Sequence, residues 1–117
     1  MGQVLTAPIT ERLVDADGVS SSANHQKPLR YGLAAMQGWR RFMEDAHAVK
    51  LKFTARNMQY FAVFDGHSGG EVSKYCSHHL GNYIETELNQ LIDTGKLDRQ
   101  NILDTLARAF MVMDEMM

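Results

Sequence analysis

The chain has one cysteine, Cys76, which rules out an internal disulfide and leaves too few thiolates for a structural zinc site. No apolar run reaches the length of a membrane-spanning helix or of a secretory leader's core, so the expectation is a cytoplasmic protein. An excess of one charge is also missing. Twelve Lys+Arg against fourteen Asp+Glu leave a net charge of −2 and a pI near 6.2, which provides no broad basic face and argues against a nucleic-acid partner. There is no internal repeat, and the only biased stretch is a short serine run. What is present is one module: for 117 residues and 13.2 kDa, area scaling gives roughly 6,400 Å² folded against about 19,000 Å² unfolded, enough for a core.

Residues 1–29 read as a flexible N-terminal tail, with Gly18 to Pro28, which holds the run Ser20-Ser21-Ser22, as a linker. The opening Met1-Gly2-Gln3-Val4-Leu5-Thr6 fits the N-myristoylation pattern on Gly2. A pattern this short also arises by chance, and both readings stay open. A single acyl chain would give only reversible membrane association.

From Leu29 the patterning changes. Tyr31, Leu33 and Ala35 alternate with small residues and predict a strand over 29–36. Partial alternation over Phe42–Phe53 predicts a second. The apolar run Gln59–Phe64, closed by Asp65-Gly66, predicts a third, buried on both faces. Beyond Gly69 and Gly70 the positions Val72, Tyr75, Cys76, Leu80, Tyr83, Ile84, Leu88, Leu91 and Ile92 recur at helical spacing, with Gly95 as the C′ residue. Asp98 is positioned to cap a second helix whose apolar face would hold Ile102, Leu103, Leu106, Phe110 and Met113. Strands followed by helices, without long crossovers, predict an α+β class.

Two clusters concentrate chemistry at the strand ends: Gly38-Trp39-Arg40-Arg41-Phe42-Met43-Glu44-Asp45-Ala46-His47 and Phe64-Asp65-Gly66-His67-Ser68-Gly69-Gly70. Adjacent Glu44 and Asp45 cannot both face one side of a strand, so one turns inward and needs partners; a solvated edge strand is the plainer alternative. Asp65, directly after an apolar strand, is placed to offer oxygen to Mg²⁺ or Mn²⁺, although Asp-Gly is equally a common turn. Together the clusters hold carboxylates, a guanidinium for phosphate and an imidazole able to protonate a leaving oxygen, the parts that phosphoryl hydrolysis needs.

The segments Arg30-Tyr31-Gly32, Met36-Gln37-Gly38-Trp39-Arg40, Met43-Glu44-Asp45-Ala46-His47 and Phe61-Ala62-Val63-Phe64-Asp65-Gly66-His67, in that order and spacing, resemble the N-terminal part of the PP2C (PPM) family of metal-dependent protein phosphatases. The Met1-Gly2 opening with Leu5 and Pro8 resembles its acylated members. The resemblance implies residues 30–117 as part of a PP2C-like αββα sandwich that hydrolyses phosphoserine and phosphothreonine in phosphoprotein substrates. It implies Asp65 as bridging ligand of a two-metal Mn²⁺ or Mg²⁺ centre and the Gly66 backbone carbonyl as a ligand. Glu44 and Asp45 would ligate directly or through water, Arg40 would clamp phosphate, and His67 would be the general acid. Arg41 is expected to be solvated on the other face. Ser68 stands where the family has glycine or a small apolar residue. The later aspartates of the family's metal centre have no counterpart before Met117, so the 117 residues alone are expected to be inactive and prone to self-association.

Two rival readings remain. One is a non-catalytic interaction fragment whose Met-rich end, Met111, Met113, Met116 and Met117, contacts partners; packing of those methionines into a core is the plainer account. In the other, Gly66-His67-Ser68-Gly69-Gly70 fits Gly-x-Ser-x-Gly, a serine-hydrolase elbow with Ser68 as nucleophile. The only later histidines, His78 and His79, fall on the adjacent helix, badly placed to serve it.

Overall fold

The computed structural model describes residues 4–19 and 29–117. They form two antiparallel hairpins followed by two packed helices, an α+β arrangement consistent with part of the expected sandwich. Strand β1 (Val4–Val19) pairs with β2 (Arg30–Arg40), and β3 (Ala46–Phe53) pairs with β4 (Met58–Phe64). Helices α1 (Glu71–Asp93) and α2 (Arg99–Met116) follow.

Within the segment read as a tail, residues 4–19 lie in a ladder with β2, whereas Gly2 and residues 20–28, on which most of the expected linker falls, lie outside the described residues. The periodicity gave no warning because the strand buries little. Val4, Leu13 and Val14 are exposed, so backbone pairing with β2 rather than an apolar face holds it in place. Strand β2 alternates as expected, with Tyr31, Leu33 and Ala35 half-buried, and runs on to Arg40. Gly38, opposite Ile9 at an irregular register, has φ +66, a left-handed conformation that glycine adopts without strain.

Strand β4 corrects a second expectation. It is covered on one face only: Tyr60, Ala62 and Phe64 are half-buried, whereas Phe61 and Val63 are exposed. A two-stranded sheet with helices on one side has no second cover, although Phe61 does meet Tyr31 of the first hairpin, ring centroids 5.7 Å apart.

The core is Phe53, Leu80, Ile84, Leu88, Ala109 and Met113. Side chains of α1 also close the β3–β4 turn, where the Thr54 and Ala55 amides donate to Glu85 Oε2 (3.2 Å) and Asn89 Oδ1 (2.8 Å). Helix α1 ends in a Schellman motif about Gly95 (φ +68), with Lys96 N–H bonded to Leu91 O (2.8 Å) and Gly95 N–H to Ile92 O (3.2 Å). Asp98 caps α2 through the Asn101 amide at 2.7 Å, as expected. The buried seam of α2 overlaps the expected face in part: Met113 is buried and Ile102 packs against the core as expected, but Thr105 and Ala109 complete the seam, and Leu103 and Phe110 turn to solvent. Small side chains at i and i+4 let the helices approach closely, and Met113 is the one buried methionine of that end. No helix among the described residues is long and apolar enough to cross a membrane.

Gly81 is where α1 meets the sheet. A Cβ there would lie 2.9 Å from the Tyr60 ring, and that ring is stacked on Phe53 with centroids 5.0 Å apart. The Tyr60 hydroxyl is buried without a hydrogen-bond partner among the described residues; burial, then Cys76, pushes its pKa up. Gly81→Ala is therefore expected to lower stability by about 1 kcal/mol, the overlap outweighing alanine's helix preference. Thermal unfolding measures it, and a raised Tm would mean that the ring yields.

Candidate active site

The site lies at one end of the β3–β4 hairpin. Because Ala46 pairs with Phe64, Asp45 enters and Asp65 leaves the ladder at the same end, and both line a cavity of about 240 Å³ with Arg40, Glu44 and Gly66. Five of the residues singled out in the sequence thus meet in one place. His67 stands beside them, its Nδ1 3.7 Å from Asp65 Oδ1, and both side chains are exposed.

Of the two adjacent acids, Glu44 turns inward. Its Oε1 accepts from the Gly69 amide at 2.9 Å, and its Oε2 lies 3.6 Å from Arg40 Nη2. Its side chain is 15% exposed against 61% for Arg40, so Glu44 anchors the guanidinium from below while leaving it open to solvent. Gln37 Nε2 donates to the Arg40 carbonyl at 2.7 Å, fixing the backbone where β2 ends.

The sequence reading missed Ser73. It is buried, and its hydroxyl is hydrogen-bonded to the Glu44 carbonyl and within 3.0 Å of the Gly70 carbonyl. It thereby ties the first turn of α1 to the acidic segment. A serine at the third helical position after a glycine cap is the available signal, but it does not announce a contact 29 residues away in sequence. Gly66 belongs to the same junction: a Cβ would sit 2.4 Å from the Glu44 carbonyl oxygen and 2.8 Å from Ser73 Oγ. Ser68 follows with φ 59, a left-handed conformation that costs a non-glycine residue about 1 kcal/mol.

The donors suit a hard divalent cation in kind, being carboxylate and carbonyl oxygens at a strand end. Their number is short of a complete shell: no group of three His, Cys, Asp or Glu among the described residues is gathered closely enough to hold a metal. The serine-hydrolase reading finds no support, because His78 Nδ1 lies 2.7 Å from the Lys74 carbonyl and the His79 ring lies against Tyr75 at 4.3 Å, both within α1.

Residues 29–117 match the family described as Protein phosphatase 2C. The chain belongs to that family. This phosphatase 2C chain is 39% identical, over its whole length, to Probable protein phosphatase 2C 21 of Arabidopsis thaliana. Across 76% of its length it is 40% identical to human Protein phosphatase 1A, and across all of it 38% identical to human Protein phosphatase 1B. It spans 29% of the plant relative and 24% of each human one, so its phosphatase 2C residues correspond to about a quarter of those proteins.

Proposed function

We propose that the polypeptide to which these residues belong hydrolyses phosphoserine and phosphothreonine in proteins with the help of Mn²⁺ or Mg²⁺. The observation that carries the reading is the single cavity bringing Arg40 together with Glu44, Asp45, Asp65 and Gly66, in a chain whose relatives are named protein phosphatases. Arg40 presents an exposed guanidinium braced on one side by Glu44, and its remaining donors suit bidentate binding of phosphate oxygens. His67 sits where it can give a proton to the departing serine or threonine oxygen. Asp65 and the Gly66 carbonyl would hold the cation, with Glu44 and Asp45 orienting water around it. Bound divalent cations would supply Lewis acidity, lowering the pKa of water and offsetting phosphate charge.

The test is a phosphopeptide assay with Mn²⁺. A longer polypeptide that carries these residues is expected to turn substrate over, and the 117 residues alone are expected to show no turnover, because the donors here leave a cation under-coordinated. Sustained turnover by the 117 residues would overturn this account of the site.

Membrane contact is the second part of the proposal: Gly2 is acylated when the chain is made together with an N-myristoyltransferase. Intact mass reads this directly, and an unmodified N-terminus would remove the membrane from the function.

A further inference from the structure

Residues 41–45 join β2 to β3 outside any strand ladder, so their own backbone does little to fix where Glu44 stands. The start of α1 fixes it instead, from both ends of the residue. The Gly69 amide, in the turn before the helix, donates to Glu44 Oε1 at 2.9 Å, and the Ser73 hydroxyl, in the first turn, reaches the Glu44 carbonyl. That hydroxyl has one proton to give. Its other neighbour, the Gly70 carbonyl at 3.0 Å, already accepts the Lys74 amide at 3.0 Å, which directs the serine proton to Glu44. Ser73 is 3% exposed, so water does not take the place of the bond. Helix α1 is in turn seated in the core through Leu80, Ile84 and Leu88.

We infer that Ser73 is a positioning residue for phosphate binding, acting through Glu44 to hold the Arg40 guanidinium at the site; this rests on the proposed phosphatase reading, in which Arg40 meets the phosphate. The path has two links. Ser73 holds the Glu44 backbone, and the Glu44 carboxylate, with Oε2 3.6 Å from Arg40 Nη2, holds the guanidinium. Arg40 is the last residue of β2, in a hairpin that contributes no core side chain among the described residues, so the brace from α1 is what ties it to the packed part of the chain. A guanidinium already held in place loses less side-chain freedom when an oxyanion binds. Asp65 and Gly66 follow β4 directly and are placed by its pairing with β3, so loss of the hydroxyl reaches phosphate binding before cation binding.

The experiment compares Ser73→Ala with the parent and with Ser77→Ala in a longer polypeptide that carries this segment. Ser77 is the matched control, since its hydroxyl donates back to the Lys74 carbonyl at 2.7 Å, within α1. With a phosphopeptide and Mn²⁺, Ser73→Ala is expected to raise KM about fivefold, the worth of one hydrogen bond. Its kcat and the Mn²⁺ concentration for half-maximal turnover should change by less than about twofold, and Ser77→Ala should match the parent. A serine of structural importance alone would lower Tm and leave KM where it was. Inorganic phosphate titrated into the isotope-labelled 117-residue chain, with backbone amides followed by NMR, should shift Glu44 and Ser73 along with Arg40, a reading that stands even if Ser73→Ala fails to fold. An unchanged KM in folded Ser73→Ala, a loss in kcat alone, or phosphate that moves Arg40 without Glu44 and Ser73 would overturn the role of Ser73 and leave the phosphatase reading standing. A longer polypeptide without turnover, together with phosphate that leaves Arg40 unmoved, would overturn both.

Discussion

Asp65→Asn, made in a longer polypeptide that carries this segment, is expected to reduce Mn²⁺-dependent phosphopeptide turnover by a factor on the order of 10³ or more. The side chain is exposed at the end of β4, with His67 Nδ1 3.7 Å from its Oδ1, so the fold should survive and the loss should be chemical. The amide keeps one oxygen donor but removes the charge that makes the position attractive to a divalent cation. Manganese titration of the same variant should show weakened binding, and circular dichroism should be unchanged. Undiminished turnover would sink the assignment of Asp65. Ser68→Ala in the same assay is expected to have little effect, whereas a serine hydrolase would lose everything.

Gly66→Ala is expected to cost about 3 kcal/mol of stability, at the upper end for overpacking by one methyl group. The reason is close approach rather than backbone conformation, since the new Cβ would overlap the Glu44 carbonyl at 2.4 Å as well as Ser73 Oγ at 2.8 Å. The carbonyl is backbone and cannot swing aside as a side-chain end could, so the strand end and the acidic segment must separate. Denaturant unfolding measures the loss. Activity should fall with it, because the same separation pulls Asp65 away from Arg40. A variant as stable as the parent would mean that the junction is looser than its geometry indicates.

Much of this site could be read from residue order. Asp65 follows an apolar run that had to be a strand, and Glu44 and Asp45, being adjacent, had to diverge; the structure turns Glu44 inward onto Gly69 and Arg40. Ser73 was not legible, because its role depends on a contact with a backbone carbonyl far away in sequence. Strand β1 was hidden for a different reason: Thr6, Thr10, Glu11 and Arg12 interrupt any alternation, and a strand held by its ladder leaves no hydrophobic trace. The apolar face of α2 was right at Ile102 and Met113 and misassigned between them, because Leu103, Leu106 and Phe110 outweigh Thr105 and Ala109 in any hydrophobic count. Packing against α1 rewarded small volume over apolar area.

Among the described residues the six core side chains lie between Phe53 and Met113, on β3, α1 and α2, and none is on the first hairpin. Local opening follows such inequalities: elements without buried apolar contacts unfold at lower free energy than those that share a core. The candidate site straddles this boundary, with Arg40 at the end of β2 and Asp65 at the end of β4. Fraying of the first hairpin would therefore withdraw the guanidinium proposed to bind phosphate while the carboxylate stays in place, the two hairpins being linked by the Arg40–Glu44 pair and the Tyr31–Phe61 contact. The proposed grips on substrate and on cation are thus seated on parts of the chain with unequal lifetimes.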